Sequence, residues 1–228
     1  NSKYKDKYII GTGLNSLGET INLMKVAVSL NFKEFLIMPP AFYKYGDNDV
    51  INFYKKIVEA IPESQIILYN FEKLSGYKFS VECIKELVRR FPEQIIGVKD
   101  SSYNIYENLK LDNFSILPGS ELKLFKGLEL GCSGIITATC NVTAELSRKV
   151  YDDFLSAKEQ TFNKKLCDVR SVFEKYNLIS GLHTYCGRKD KIYRNLLPPL
   201  SMLSPQEEKE LIEKLSQLNF STRSTTIT

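Results

Sequence analysis

Lys99 closes an apolar run, Ile95-Ile96-Gly97-Val98, and Asp100-Ser101-Ser102 follow it at once. A short apolar run bounded by polar turn residues reads as a buried strand of a parallel sheet. Lys99 would then stand at the carboxyl end of that strand, where α/β enzymes keep their chemistry. Partial desolvation there lowers the pKa of a lysine and raises the fraction of free amine that can attack a carbonyl. The chemistry this permits is Schiff-base formation. The plainer alternative is a lysine that ends a strand and extends its ammonium to water, and the stretch taken alone favours it. Few other residues compete. His183, in Leu182-His183-Thr184-Tyr185, is the single histidine and reads as a helix-face residue, which leaves little room for a histidine metal site or triad. Gly11-Thr12-Gly13 resembles half of a dinucleotide fingerprint, but the third glycine and the acidic strand end are missing.

The elements that must position Lys99 follow a regular rhythm. Tyr8–Gly13 reads as a strand, and Asn15 or Ser16 can cap a helix carrying Ile21, Met24 and Val28. Glu34–Pro40 is the next strand, and Asp47 caps a helix with Ile51, Tyr54, Ile57, Val58 and Ile61 on one face. Gln65–Asn70 is a third strand, followed by Gly76 and a helix capped by Ser80 with Val81, Ile84, Leu87 and Val88. After the lysine strand come a short helix over Ile105–Leu109, a strand at Ser115–Pro118 and a helix through Leu122–Leu130. Gly134–Thr139 is the sixth strand, with a helix at Thr143–Phe154. Strand–helix units in succession are the βαβ pattern of a parallel sheet. Beyond Ala157 the pattern is helical, clearest at Leu166–Tyr176 and Glu207–Leu218. This gives barrel units over 1–156, a helical region over 157–220 and a Ser/Thr-rich tail over 221–228 that reads as disordered.

Composition excludes several classes. The 228 residues carry 31 basic and 27 acidic side chains, a net charge of +4, with no basic run interleaved with aromatics as nucleic-acid binding requires. No apolar stretch approaches the length of a membrane span, and Asn1–Lys7 is too polar for a signal peptide. The five cysteines (Cys83, Cys132, Cys140, Cys167 and Cys186) are odd in number and lack C-x-x-C spacing, which suits a reduced, cytoplasmic protein. Eight strands close a barrel, and six do not. Asn1–Lys7 reads as the end of a helix, so the expectation is that the first two βα units are absent from this chain.

The residues resemble the dihydrodipicolinate synthase and N-acetylneuraminate lyase family of class I pyruvate aldolases. The matching stretches are Gly11-Thr12-Gly13-x-Asn15-Ser16, Pro39-Pro40-Ala41-Phe42-Tyr43-Lys44, Leu68-Tyr69-Asn70, Gly97-Val98-Lys99-Asp100-Ser101-Ser102, Pro118-Gly119-Ser120-Glu121 and Gly134-Ile135-Ile136-x-Ala138-Thr139-x-Asn141. They fall in family order across nearly the whole chain, and with them Lys99 reads as a Schiff-base lysine. The resemblance implies a (β/α)8 TIM barrel with a C-terminal helical extension, the six units here being strands three to eight. It implies a homo-oligomer, a dimer or more often a tetramer, that works on a small keto acid and an aldehyde. The covalent lysine imine serves in place of any cofactor, and no metal, nucleic acid or membrane is involved. Lys99 would condense with pyruvate, and Tyr69 would relay protons, its pKa lowered beside the Lys99 cation. Gly119 and Ile136 would line the pyruvate pocket. Tyr43 would be the second tyrosine of the loop after the family's fourth strand, although a shift of one residue puts Phe42 there instead. The family's carboxylate-binding threonine loop has no counterpart in this sequence.

Two departures bear on substrate. Where lysine-pathway synthases carry a carboxylate-binding arginine, five residues beyond the relay tyrosine, this chain has Leu74, which makes no bidentate pair. The sugar-binding positions of sialic-acid lyases are Leu122 and Ala138 here, which removes that specificity as well. A dihydrodipicolinate synthase-like lyase acting on pyruvate or another 2-keto acid is the reading that remains. Its rivals are an inert barrel relative serving as a binding or oligomeric scaffold, and a nucleotide-binding open sheet with Gly11-Thr12-Gly13 at its phosphates.

Overall fold

The computed structural model describes residues 7–221. The expected helix end at Asn1–Lys7 and the expected disordered tail fall almost wholly outside that range. The described chain divides into two compact units. The first runs to Gly119 and takes in Glu129–Gly134, and the second takes Ser120–Leu128 and the chain from Ile135.

In the first unit, five parallel strands lie side by side in chain order: β1 (Ile9–Gly11), β2 (Glu34–Ile37), β3 (Gln65–Asn70), β4 (Ile95–Asp100) and β5 (Ser115–Pro118). The connections carry α1 (Leu17–Ser29), α2 (Asp47–Ala60), the single turn α3 (Glu72–Ser75) and α4 (Val81–Arg90). Of these, α1, α2 and α4 begin where the chain supplies a cap. Ser16 accepts from the Glu19 amide, Ser80 accepts from the Cys83 amide, and the Asp49 carboxylate accepts from the Gly46 amide. Gly46, not Asp47, is therefore the residue before α2. Asp47 starts the helix and accepts from Tyr77 and Ser80, which ties α2 to the start of α4. Asn15 accepts from the Ala41 amide instead of capping α1.

The sheet buries one face under these helices. Phe35 and Ile37, Ile66 and Leu68, and Ile95 and Val98 meet Met24, Tyr54, Ile57, Ile84 and Leu87 in one core. Ile95 and Val98 are three residues apart, which the two-residue alternation of a regular strand does not allow on one face. The ladder explains it. Ile66 pairs with Ile95 and Ile67 with Gly97, so β4 carries an extra residue, Ile96, at a bulge.

Two expected elements differ. The Ile105–Leu109 stretch forms only a single turn, the Asn108 and Leu109 amides both donating to the Ile105 carbonyl, while the Asp100 carboxylate accepts from the amides of Tyr103, Ile105 and Tyr106. Gly134–Thr139 is not a strand of the sheet. An apolar run becomes a strand only where a ladder partner accepts it. Here Thr137 and Thr139 hydrogen-bond to the Arg170 side chain instead, and a turn leads directly into the helix over Cys140–Leu155.

The second unit is helical: α5 (Leu124–Glu129) except its last residue, α6 (Cys140–Leu155), α7 (Asn163–Phe173), α8 (Leu178–Cys186) and α9 (Pro205–Gln217). Val169, Phe173, Leu182, Tyr185, Leu211 and Leu215 form one of its cores, and Leu124, Leu128, Val150 and Leu166 form another. Within it, Arg170 of α7 is buried and lies 3.4 Å from the fully buried Glu121 carboxylate and 2.8 Å from that of Glu174. Arg170 also donates to Thr137 and Thr139, while Glu121 accepts from Thr137 and Thr143. His183 is on α8, its Nδ1 2.6 Å from the Tyr193 carbonyl oxygen. All five cysteines are free. Among the described residues, no helix is long and apolar enough to cross a membrane.

Candidate active site

Three of the residues singled out in the sequence, Tyr69, Lys99 and Gly119, stand at or just beyond the carboxyl ends of neighbouring strands. Tyr69 and Lys99 are direct neighbours across the β3–β4 ladder, so their side chains share a face, opposite the one occupied by Asn70 and Asp100. The Lys99 Nζ sits 3.9 Å from the centroid of the Tyr69 ring, a cation–π contact. Gly97 allows this arrangement to form. A Cβ there would stand 2.6 Å from the Ser115 carbonyl oxygen, so a larger residue would push β4 away from β5.

Lys99 is half-buried, and that burial pushes its amine pKa down to about 8 from an ordinary 10.5. A useful fraction of free amine is therefore available near neutrality. Tyr69 behaves differently from the expectation. Its pKa is raised, because burial outweighs a hydrogen bond with Ser101 that acts in the lowering direction. The ammonium lies over the ring face instead of beside the hydroxyl, so it steadies the neutral ring and does little for a phenolate. Tyr69 is thus held as a neutral phenol, its ring stacked on Phe71.

Gly119 is packed against the turn that follows Lys99. A Cβ on Gly119 would come within 2.2 Å of Ser101 Oγ, and its amide donates to the Asp100 carbonyl. Lys99, Tyr69, Ser101 and Gly119 therefore form one contiguous group at the ends of β3, β4 and β5. Ile136 belongs to the second unit, where it is half-buried in the irregular segment before α6. Tyr43 is 66% exposed in the loop after β2, edge-to-face with Phe42, which is 91% exposed and has φ +85°. Leu74 is exposed on α3.

Sequence reasoning missed the support beneath the pair. Asn70 and Asp100, both fully buried, join across the ladder one residue beyond Tyr69 and Lys99. The signal available was two short polar residues ending neighbouring apolar strands, which by itself reads only as turn chemistry.

A family model, the dihydrodipicolinate synthetase family, matches residues 3–218. The chain belongs to that family. Among dihydrodipicolinate synthetase relatives, it is 28% identical over 204 residues to the 2-dehydro-3-deoxy-D-gluconate/2-dehydro-3-deoxy-phosphogluconate aldolase of Picrophilus torridus, covering 86% of this chain and 75% of that one. It is 28% identical over 162 residues to the 4-hydroxy-tetrahydrodipicolinate synthase of Methanosarcina mazei, covering 68% and 55%. Among solved structures, dihydrodipicolinate synthase from Aquifex aeolicus matches with a TM-score of 0.85 at 23% identity, over 95% of this chain and 76% of that one. A prophage protein of the family from Escherichia coli K12, solved in complex with pyruvate, matches with a TM-score of 0.81 at 23% identity, over 93% and 75%. The chain spans between about half and three-quarters of the length of the curated relatives. The fold is that of the family, an α/β fold with a parallel sheet, and an eight-stranded barrel is consistent with it. At family level, the activity is that of an aldolase or lyase.

Proposed function

We propose that this member of the family forms a Schiff base between Lys99 and pyruvate or a related 2-keto acid, and makes or breaks a carbon–carbon bond through it. The observation that carries the reading is the half-buried Lys99, its amine pKa pushed down to about 8, held against Tyr69 at the strand ends.

The free Lys99 amine attacks the keto carbon, and the carbinolamine loses water to leave an iminium. That cation withdraws electrons from the adjacent carbon, which gives up a proton and becomes an enamine. The enamine carbon attacks an aldehyde, whose oxygen takes up a proton, and water then releases the product and restores the amine. Cleavage runs the same steps backward. Tyr69, a neutral phenol whose pKa burial raises, hands a proton to the departing hydroxyl and to the aldol oxygen.

The exposed Leu74 leaves no guanidinium for a dicarboxylate substrate at that position, so the chemistry is synthase-like without the lysine-pathway contact. A 2-keto-3-deoxy sugar acid fits this better, in keeping with the name of the Picrophilus torridus relative. Borohydride reduction in the presence of pyruvate, with intact mass and peptide mapping, tests the proposal. The expected result is a reduced adduct on Lys99 that Lys99→Ala abolishes. A folded protein that takes no adduct would refute it and favour the scaffold.

A further inference from the structure

We propose that Asp100 is a positioning residue for the Lys99–Tyr69 pair, its buried carboxylate binding two strand ends and the following turn into one body. Asp100 Oδ1 accepts from Asn70 Nδ2 at 2.8 Å and from the Tyr103 amide at 2.9 Å. Its Oδ2 accepts from the amides of Ile105 and Tyr106 at 2.8 and 3.0 Å. All four donors are uncharged. Asn70 is equally committed: it also donates to Asn104 Oδ1, and it accepts from the Phe79 amide. Asn104 in turn donates to the Phe79 carbonyl. Ser102 Oγ accepts from the Glu72 amide, fixing the same turn to the start of α3.

What this carboxylate organises is the segment that meets the reactive pair. The turn from Ser101 to Tyr106 begins two residues after Lys99, is tied to β3 by the Ser101 amide donating to the Asn70 carbonyl next to Tyr69, and sets the Ser101 hydroxyl against Gly119. Asp100 lies on the opposite strand face from Lys99, so it acts through the turn and not on substrate. A carboxylate presents two acceptor atoms to these amides, and an amide side chain presents one acceptor and a donor. Asp100→Asn therefore sets an N–H against peptide N–H groups and loosens the turn, letting water reach Lys99.

The importance of Asp100 to turnover rests on the imine chemistry proposed above, but its effect on Lys99 does not. The decisive measurement on the full chain is competitive acylation of Lys99 with isotope-coded acetic anhydride across pH, read by peptide mass. Loss of a nearby negative charge would by itself lower the Lys99 titration midpoint. Asp100→Asn is expected to raise it instead, by about one pH unit, or roughly tenfold less free amine at neutrality. Pyruvate adduct formation under borohydride is expected to fall at least as far. An unmoved or lowered midpoint in folded Asp100→Asn overturns the proposal, even if wild-type protein takes the adduct. A raised midpoint with no wild-type adduct upholds the positioning role and refutes the imine reading. If Asp100→Asn does not fold, Asn104→Ala, which removes the outer bonds of the same network, must raise the midpoint. An unmoved midpoint there overturns the proposal equally.

Discussion

Replacing Lys99 with Met should stabilise this protein at neutral pH while ending its chemistry. The native lysine has its pKa depressed to about 8 by burial, below the 10.5 it regains on unfolding. Between those values the unfolded chain holds a proton that the folded chain has released, so stability rises with pH through that window. Below about pH 8 the folded protein carries the whole cost of a half-buried ammonium. A drop from 10.5 to about 8, at about 1.4 kcal/mol for each pH unit, corresponds to about 3 kcal/mol. The cation–π contact with Tyr69 offsets about 0.5–1 kcal/mol of what the substitution gains. Lys99→Met should therefore be more stable at pH 7 by about 2 kcal/mol, roughly 4–8 °C in Tm for a chain of this size. The gain should shrink steadily above pH 8 and be gone near pH 10.5. Urea or thermal unfolding of both proteins at several pH values measures it, since other titrating groups cancel in the difference. A Met variant less stable at pH 7, or a gap that does not change with pH, would refute the account of Lys99 as a desolvated amine.

Tyr69→Phe keeps the ring under Lys99 and removes the hydroxyl. Adduct formation with pyruvate should slow roughly 100-fold with little change in melting, and equal trapping rates would remove Tyr69 from the proton path. Gly119→Ala places a methyl 2.2 Å from Ser101 Oγ and 3.1 Å from its Cα, so the backbone must move. Overpacking of this kind should cost about 1–3 kcal/mol by urea unfolding and slow trapping, with Ser101→Gly restoring part of the loss in the double variant. Arg170→Met strips the nearby cation from the fully buried Glu121, and unfolding measurements should register about 3 kcal/mol. The low end of the range applies because Thr137 and Thr143 still donate to that carboxylate. Adding Glu121→Gln should recover much of the stability, and a single variant as stable as wild type would make the ion pair incidental.

The strands and most helices were legible because their signals are local: apolar runs, serine caps and the two helical periods around Tyr54 and Leu87. Lys99 draws attention because it closes an apolar run, but the Schiff-base reading of Lys99 and the relay reading of Tyr69 both rest on the resemblance to the family and not on local signals. What escaped depends on partners far away in sequence. Asp100 looks like a turn residue until Asn70, thirty positions earlier, is seen to share its buried hydrogen bonds. Ile135 and Ile136 have every local mark of a strand, but a ladder partner decides the matter. The Tyr69 pKa was misread for a geometric reason, because a cation over a ring face has a different effect from a cation beside a hydroxyl. Arg170 gave no sign at all, since its partner Glu121 lies forty-nine residues away.

The extra residue in β4 has a consequence for how this gene can change. Had Ile96 paired in the ladder instead of bulging, Tyr69 would face Val98 and Asn70 would face Lys99. The meeting of amine and phenol is thus written into the length of one short segment as much as into the two residues themselves. Substitutions at Ile96 that keep its bulk leave the counting intact. A codon gained between Ile95 and Val98 and paired in the ladder would set Asn70 opposite Lys99, a carboxamide in place of the phenol, whereas loss of Ile96 would remove the bulge and keep Tyr69 opposite Lys99.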